Sequence, residues 1–96
     1  MPTYIALVDW TDQGVRDFKG SVDRYEAAQS AFESLGVRFT DIWWTLGTHD
    51  MVTTVEARDD ETLAAALLSV AGQGNFRTTT LRAFTREEMR SVIDKT

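Results

Sequence analysis

No cysteine occurs among the 96 residues. That excludes a disulfide staple, a thiolate metal site and a thiol nucleophile. Histidine occurs once, as His49. A single histidine among scattered carboxylates gives no metal-ligand spacing, and no serine stands beside it in a nucleophile arrangement. Basic residues are the minority: Lys and Arg total 10 against 15 Asp and Glu, a formal charge of −5. A general nucleic-acid binder needs a basic stripe to displace phosphate counterions, so this balance argues against one. No apolar run approaches the ~20 residues of a membrane span. The N-terminal MPTYIALVDW lacks the basic and apolar regions of a secretory leader. A Gly-rich phosphate loop is also missing: Gly72 and Gly74 are too close together and follow a helix instead of opening one. These absences predict a soluble cytoplasmic protein with neither a nucleic-acid nor a membrane partner.

What is present alternates between strand and helix signals. TYIALVDW (3–10) is apolar at nearly every position and reads as a strand buried on both faces, with Tyr4, Ala6, Val8 and Trp10 on one side and Ile5 and Leu7 on the other. Thr11 and Asp12 then offer a helix cap. Val15, Phe18, Val22, Tyr25, Ala28, Phe32 and Leu35 follow at spacings of three and four, one stripe of a helix ending at Gly36. Gly20 and Ser21 interrupt it, which predicts a kink or a short lead-in helix. VRFTDIWWTL (37–46) and DMVTTVEA (50–57) are strands joined by a turn at Gly47 to His49. Asp59 and Asp60 cap a second helix, ETLAAALLSVAG, with Leu63, Leu67, Val70 and Ala71 on its apolar side. FRTTTLRAFT (76–85) is the fourth strand. Thr85 and Glu88 form a capping box for a last short helix with a Met89, Val92 and Ile93 stripe.

The order β-α-β-β-α-β plus a terminal helix predicts one α+β domain over residues 1–96, of the ferredoxin-like type. Its four-stranded antiparallel sheet carries both helices on one face. A domain this small buries a modest fraction of its surface, and without cysteine the remaining staple is oligomerisation. Strand 1 is apolar on both sides and strand 2 carries a tryptophan on each, so the second sheet face reads as an association surface. Two sheets packed face to face in an isologous homodimer, a dimeric α/β barrel, satisfy it.

In three stretches the chain resembles the GYD domain family, small bacterial proteins grouped with the dimeric α/β barrels. They are VDWTDQG (8–14), the hairpin WWTLGTHDMV (43–52) and TLRAFT (80–85). The family's Gly-x-Tyr-Asp signature falls on Gly47 to Asp50, with His49 at the tyrosine position. The family has no settled activity, so the resemblance implies the fold and names no reaction. Some dimeric α/β barrels bind heme, but one histidine does not establish a heme site, and no cofactor is implied.

Histidine is the side-chain type suited to proton transfer near neutrality, and His49, the only one, is the candidate general acid or base. Its bland alternative is a solvated turn histidine. Asp50 is its neighbour and fixes the turn. Trp10 and Trp43 are candidate stacking surfaces for a planar ligand, against plain packing. Thr45, Thr80 and Arg82 are candidate polar contacts, with Arg82 able to hold a carboxylate or to pair with Asp9, Asp41 or Glu56. Trp43, Thr45, Thr80 and Arg82 could together line a pocket between sheet and partner if strand register turns them the same way. The leading reading is a small-metabolite binder, with cofactor-free catalysis as an extension. A ligand-sensing module without turnover and a purely structural dimer are the alternatives. Catalysis requires a histidine in a closed pocket. Sensing requires a pocket without a titratable group at its floor, and a structural role requires a filled interior.

Overall fold

The computed structural model describes residues 1–96. Strand β1 spans Thr3–Trp10, α1 Asp12–Arg16, α2 Ser21–Ser34, β2 Val37–Trp44, β3 Met51–Ala57, α3 Asp60–Ala71, β4 Phe76–Ala83 and α4 Arg86–Asp94. A 3-10 turn at Phe18–Gly20 separates α1 from α2, so the interruption read at Gly20 and Ser21 is a real break. The sheet is antiparallel throughout, in the order β2-β3-β1-β4. This is the ferredoxin-like α+β topology.

Register assigns the two faces. Tyr4, Ala6 and Val8 lie opposite Val55, Thr53 and Met51 on one flank, and opposite Arg82, Thr80 and Thr78 on the other. Residues directly opposite in a ladder share a face, and this set faces the helices. Tyr4, Phe32, Val37, Val55, Ala57, Leu63, Ala66 and Val70 form the main core, with Ala6, Val8 and Met51 as a smaller cluster. The other face carries Ile5, Leu7, Val52, Trp43 and Leu81, and no helix covers it. Ile5 and Leu7 are therefore only half-buried. The expectation of a strand buried on both faces is not met within one chain.

A bulge at Thr40 separates Phe39 from Asp41 in the β2–β3 ladder. The extra residue inverts the alternation, so Phe39, Ile42 and Trp44 all face the helices. Phe39 stacks on Tyr25 and meets Phe32 edge-on, while Trp44 meets Tyr25 edge-on. The Trp44 indole donates to Ser21 Oγ at 2.9 Å. Trp44 thus anchors β2 to α2 at the edge of the core and stays partly exposed. Leu46, within the strand expected over 37–46, lies beyond the end of β2 and is fully exposed. Strand β4 likewise stops at Ala83, short of Thr85. There Thr85 turns the chain, its side chain accepting from Glu88 N while the Glu88 carboxylate accepts from Thr85 N.

The β1–α1 junction is tied to the loop before β4. Thr11 N and Thr11 Oγ1 donate to the carbonyls of Asn75 and Gly74, at 3.2 and 2.6 Å. Gln13 Nε2 reaches Gln73 O and Asn75 Oδ1. This contact leaves no room for a side chain at Gly14, where a Cβ would lie 1.9 Å from the Asn75 carbonyl oxygen. Gly14→Ala must move backbone, at a cost of about 1–3 kcal/mol. The expected outcome is a thermal midpoint lowered by roughly 5–15 °C, measured by circular dichroism melting. An unchanged midpoint would show that the junction is slack.

Candidate functional site

The sequence candidates divide between the two ends of the hairpin and the two faces of the sheet. The turn between β2 and β3 folds back onto the end of β1. Asp50 N donates to Val8 O at 2.9 Å, and the Asp50 carboxylate accepts from Trp10 N at 2.9 Å. Thr45 N donates to Asp50 O at 2.9 Å, and Thr45 Oγ1 to His49 O at 2.5 Å. Asp50 and Thr45 are thus consumed in building the turn. Gly47 adopts φ 109° within it, a conformation that favours glycine.

His49 Nδ1 lies 3.1 Å from Asp9 Oδ1. Asp9 shares the open face with Ile5 and Leu7, so the pair sits on the face without helices. Both side chains are about one-third exposed, 30% and 36%. A carboxylate on Nδ1 fixes the ring and leaves Nε2 for another partner. Asp9 is therefore the orienting partner, not the sequence neighbour Asp50.

Trp43, Thr45, Thr80 and Arg82 do not converge. Trp43 lies opposite Val52 on the open face, and Thr45 is in the turn. Thr80 and Arg82 lie opposite Ala6 and Tyr4 on the helix face. The single pocket drawn from these four is corrected by register. Arg82 also forms no pair with Asp9, Asp41 or Glu56. Its guanidinium donates to the carbonyls of Thr3 and Ala83, approaches Glu88 at 3.5 Å, and lies 4.6 Å from the Phe84 ring centroid and 5.7 Å from that of Tyr4.

The helix face does contain space. A cavity of about 60 Å³ lies between the sheet and helices α2 and α3. Trp10, Tyr25, Phe39 and Phe76 contribute its aromatic wall, and Ser21, Thr53, Thr78 and Thr80 its hydroxyls. Arg24 and Tyr25 are the ionisable side chains in its lining. Arg24 is committed to Asp17 and to the Gly14 carbonyl. Burial, then the charge of Asp41, raises the Tyr25 hydroxyl above its ordinary 10.0, so it stays neutral. No histidine and no carboxylate lines the cavity. Composition alone could not find this space, because Trp10 and Thr80 are brought together by pairing across β1 and β4.

Beside it runs an open groove of about 230 Å³ between α3 and β4, lined by Tyr4, Asp60, Leu63, Ala64, Leu67, Thr80 and Arg82. The Tyr4 hydroxyl donates a short hydrogen bond to Asp60 Oδ1. That bond, then burial of the ring, then the charge of Asp60, raises the Tyr4 pKa above 10.0.

A family model described as GYD domain matches residues 4–93. The chain belongs to the GYD domain family. A protein of Thermus thermophilus named glutamine synthetase and cystathionine beta-lyase binding protein is 37% identical over 84 residues, covering 86% of this chain and 88% of its own. Among solved structures, TTHA0845 from Thermus thermophilus matches with a TM-score of 0.57 at 23% identity, over 88% of this chain and 95% of its own. That likeness shows the fold. A dimeric ferredoxin-like protein of unknown function from Thermobifida fusca matches at a TM-score of 0.42 and 15% identity, over 85% and 90% of the two chains. This last similarity is too weak to carry an argument. The resemblance read in residues 8–14, 43–52 and 80–85 is thus shown at the level of family and fold.

The Tyr4–Asp60 bond has a pH signature. A phenol whose folded pKa is raised adds stability below its unfolded pKa near 10, and that stability is lost as pH rises through the folded value. Tyr4→Phe is expected to cost about 1–2 kcal/mol near neutral pH and to flatten the alkaline loss of stability. Urea melts across the alkaline range test this, and equal alkaline slopes in both proteins would refute it.

Proposed function

We propose that this protein is a homodimeric binding module of the cytoplasm that holds a small, largely apolar molecule and works without turnover. The observation that carries the reading is the separation of chemistry from space. The cavity lies on the helix face, and no histidine or carboxylate is in its lining. The His49–Asp9 pair, the one arrangement suited to proton transfer, lies across the sheet. A sensing or carrying role needs the cavity alone.

Dimerisation is supported by how little one chain buries: 14 of 96 residues. Trp43 and Leu81 on the bare face are exposed, as are Met89, Val92 and Ile93 on α4. A second copy laid sheet to sheet covers the first set, and closed twofold symmetry is the common solution. The name of the Thermus relative ties that protein to two enzymes of metabolism. A role in docking on an enzyme, with the bound ligand setting the affinity, extends the same reading to this chain.

A second reading rests on the His49–Asp9 pair. At a sheet-to-sheet interface it would face the partner's copy, and His49 Nε2 could serve as a general base on a ligand held there.

Native mass spectrometry of freshly purified protein separates these. The expected species is a dimer of the 10.8 kDa chain carrying a small adduct. A monomer would sink the sheet-to-sheet arrangement. His49→Ala is expected to leave adduct occupancy unchanged and to shift stability by less than about 1 kcal/mol, as for a partly exposed polar side-chain pair. Loss of the adduct in that variant would move the site to the open face and favour the second reading.

A further inference from the structure

The inner cavity and the outer groove adjoin, with Leu63, Leu67 and Thr80 in the lining of both. A small molecule seated where they meet would have its far end against Leu63, Leu67 and Thr80 and its near end at the mouth, beside Tyr4, Asp60 and Arg82. The chemistry of that mouth selects the near end.

Charges around the mouth mostly cancel in pairs. Arg82 is held by Glu88 at 3.5 Å and by two backbone carbonyls. Asp59 is paired with Arg58 at 3.6 Å and accepts from Thr62 N as the cap of α3. Asp60 is different. It enters none of the ion pairs of the chain, and its one side-chain hydrogen bond is the proton received from Tyr4 on Oδ1. Its second oxygen is free, and the Tyr4 oxygen retains lone pairs to accept another donor. One net negative charge and two acceptors therefore stand at the mouth of an apolar cavity. An incoming carboxylate would meet Asp60 and find Arg82 already occupied. A primary ammonium has three donors and the complementary charge.

We infer that the space under α3 binds a small primary amine, with its ammonium on Asp60 and the Tyr4 hydroxyl and its short apolar tail in the cavity. The inference rests on the proposal that the cavity is a ligand site, and it adds the ligand's class. The tail must be short. At roughly 10–15 Å³ for each enclosed water, a cavity of about 60 Å³ takes a few carbon atoms and no large ring system. Asp60→Asn removes the charge and keeps the shape. The cap of α3 is Asp59, so this variant is expected to fold.

The test is a titration of the full-length, isotope-labelled chain at neutral pH with n-butylamine, n-butanol and butyrate, three probes of similar size. The readout is the amide signals of Leu63, Leu67 and Thr80, which line both spaces. The amine is expected to bind at least about tenfold more tightly than the alcohol, as a charge-assisted hydrogen bond implies, with butyrate weakest. Asp60→Asn should bring the amine down to the level of the alcohol. Arg82→Gln, which removes the competing cation, should preserve or enlarge the preference for the amine. Butyrate binding as tightly as the amine would overturn the inference, as would a preference that survives Asp60→Asn. If the alcohol perturbs Leu67 and Thr80 and the amine does no better, the ligand class is wrong and the cavity remains a binding site. If no probe perturbs those signals, the cavity reading falls with it.

Discussion

Both helical crossovers leave the sheet on the same side, and the rest of the molecule follows from that constraint. Strands β1 and β2 are each antiparallel to β3, so they run parallel to one another and need a crossover to join them. The same holds for β3 and β4 about β1. Right-handed crossovers at these two places put α2 and α3 over one face. That face acquires the core, the cavity and the groove. The opposite face has no covering element within the chain, yet it carries Ile5, Leu7, Trp43, Val52 and Leu81. The asymmetry is a property of the topology, and side chains only decorate it.

Much of this was legible in the residues, and the gaps have physical causes. Elements and caps follow local rules: the Thr85–Glu88 capping box and the break at Gly20 and Ser21 depend on residues a few positions apart. Faces are less local. The alternation in VRFTDIWW predicts Ile42 and Trp44 on one side, as observed, but it cannot place Phe39, because the bulge at Thr40 shifts parity between the two halves of the strand. Leu46 falls outside the strand expected over 37–46 for a related reason. Alternation continues in sequence past the residue where the ladder ends, and β2 stops at Trp44.

The site residues show the limit most clearly. Asp50 is the sequence neighbour of His49, and sequence alone leaves open whether the two side chains meet. The topology places β3 antiparallel to β1, with Val8 opposite Met51. Continuing that ladder past its end brings the turn before β3 to the last residues of β1. The partner of His49 is then Asp9, 40 positions away. The strand order needed for this deduction was already implied by β-α-β-β-α-β. Arg82 is the opposite case. A lone arginine amid threonines suggests a binding cation, but the guanidinium closes on Thr3, Ala83 and Glu88, and those contacts depend on where β4 ends and α4 turns back.

The His49–Asp9 pair raises the question of why a proton-transfer arrangement should sit where no cavity is. An imidazole with one oriented nitrogen is effective when a substrate is held against the other and water is kept away. Within one chain neither condition is met, since both side chains are about one-third exposed. A partner sheet would change both conditions together, by covering the pair and by bringing a second copy of it nearby. Catalysis at His49 therefore presupposes the dimer, whereas binding under α3 does not. The two proposed roles would use different faces of one sheet, so on this reading loss of the dimer abolishes the first and leaves the second intact. That difference separates the cavity from the histidine more sharply than the identity of any residue in either place.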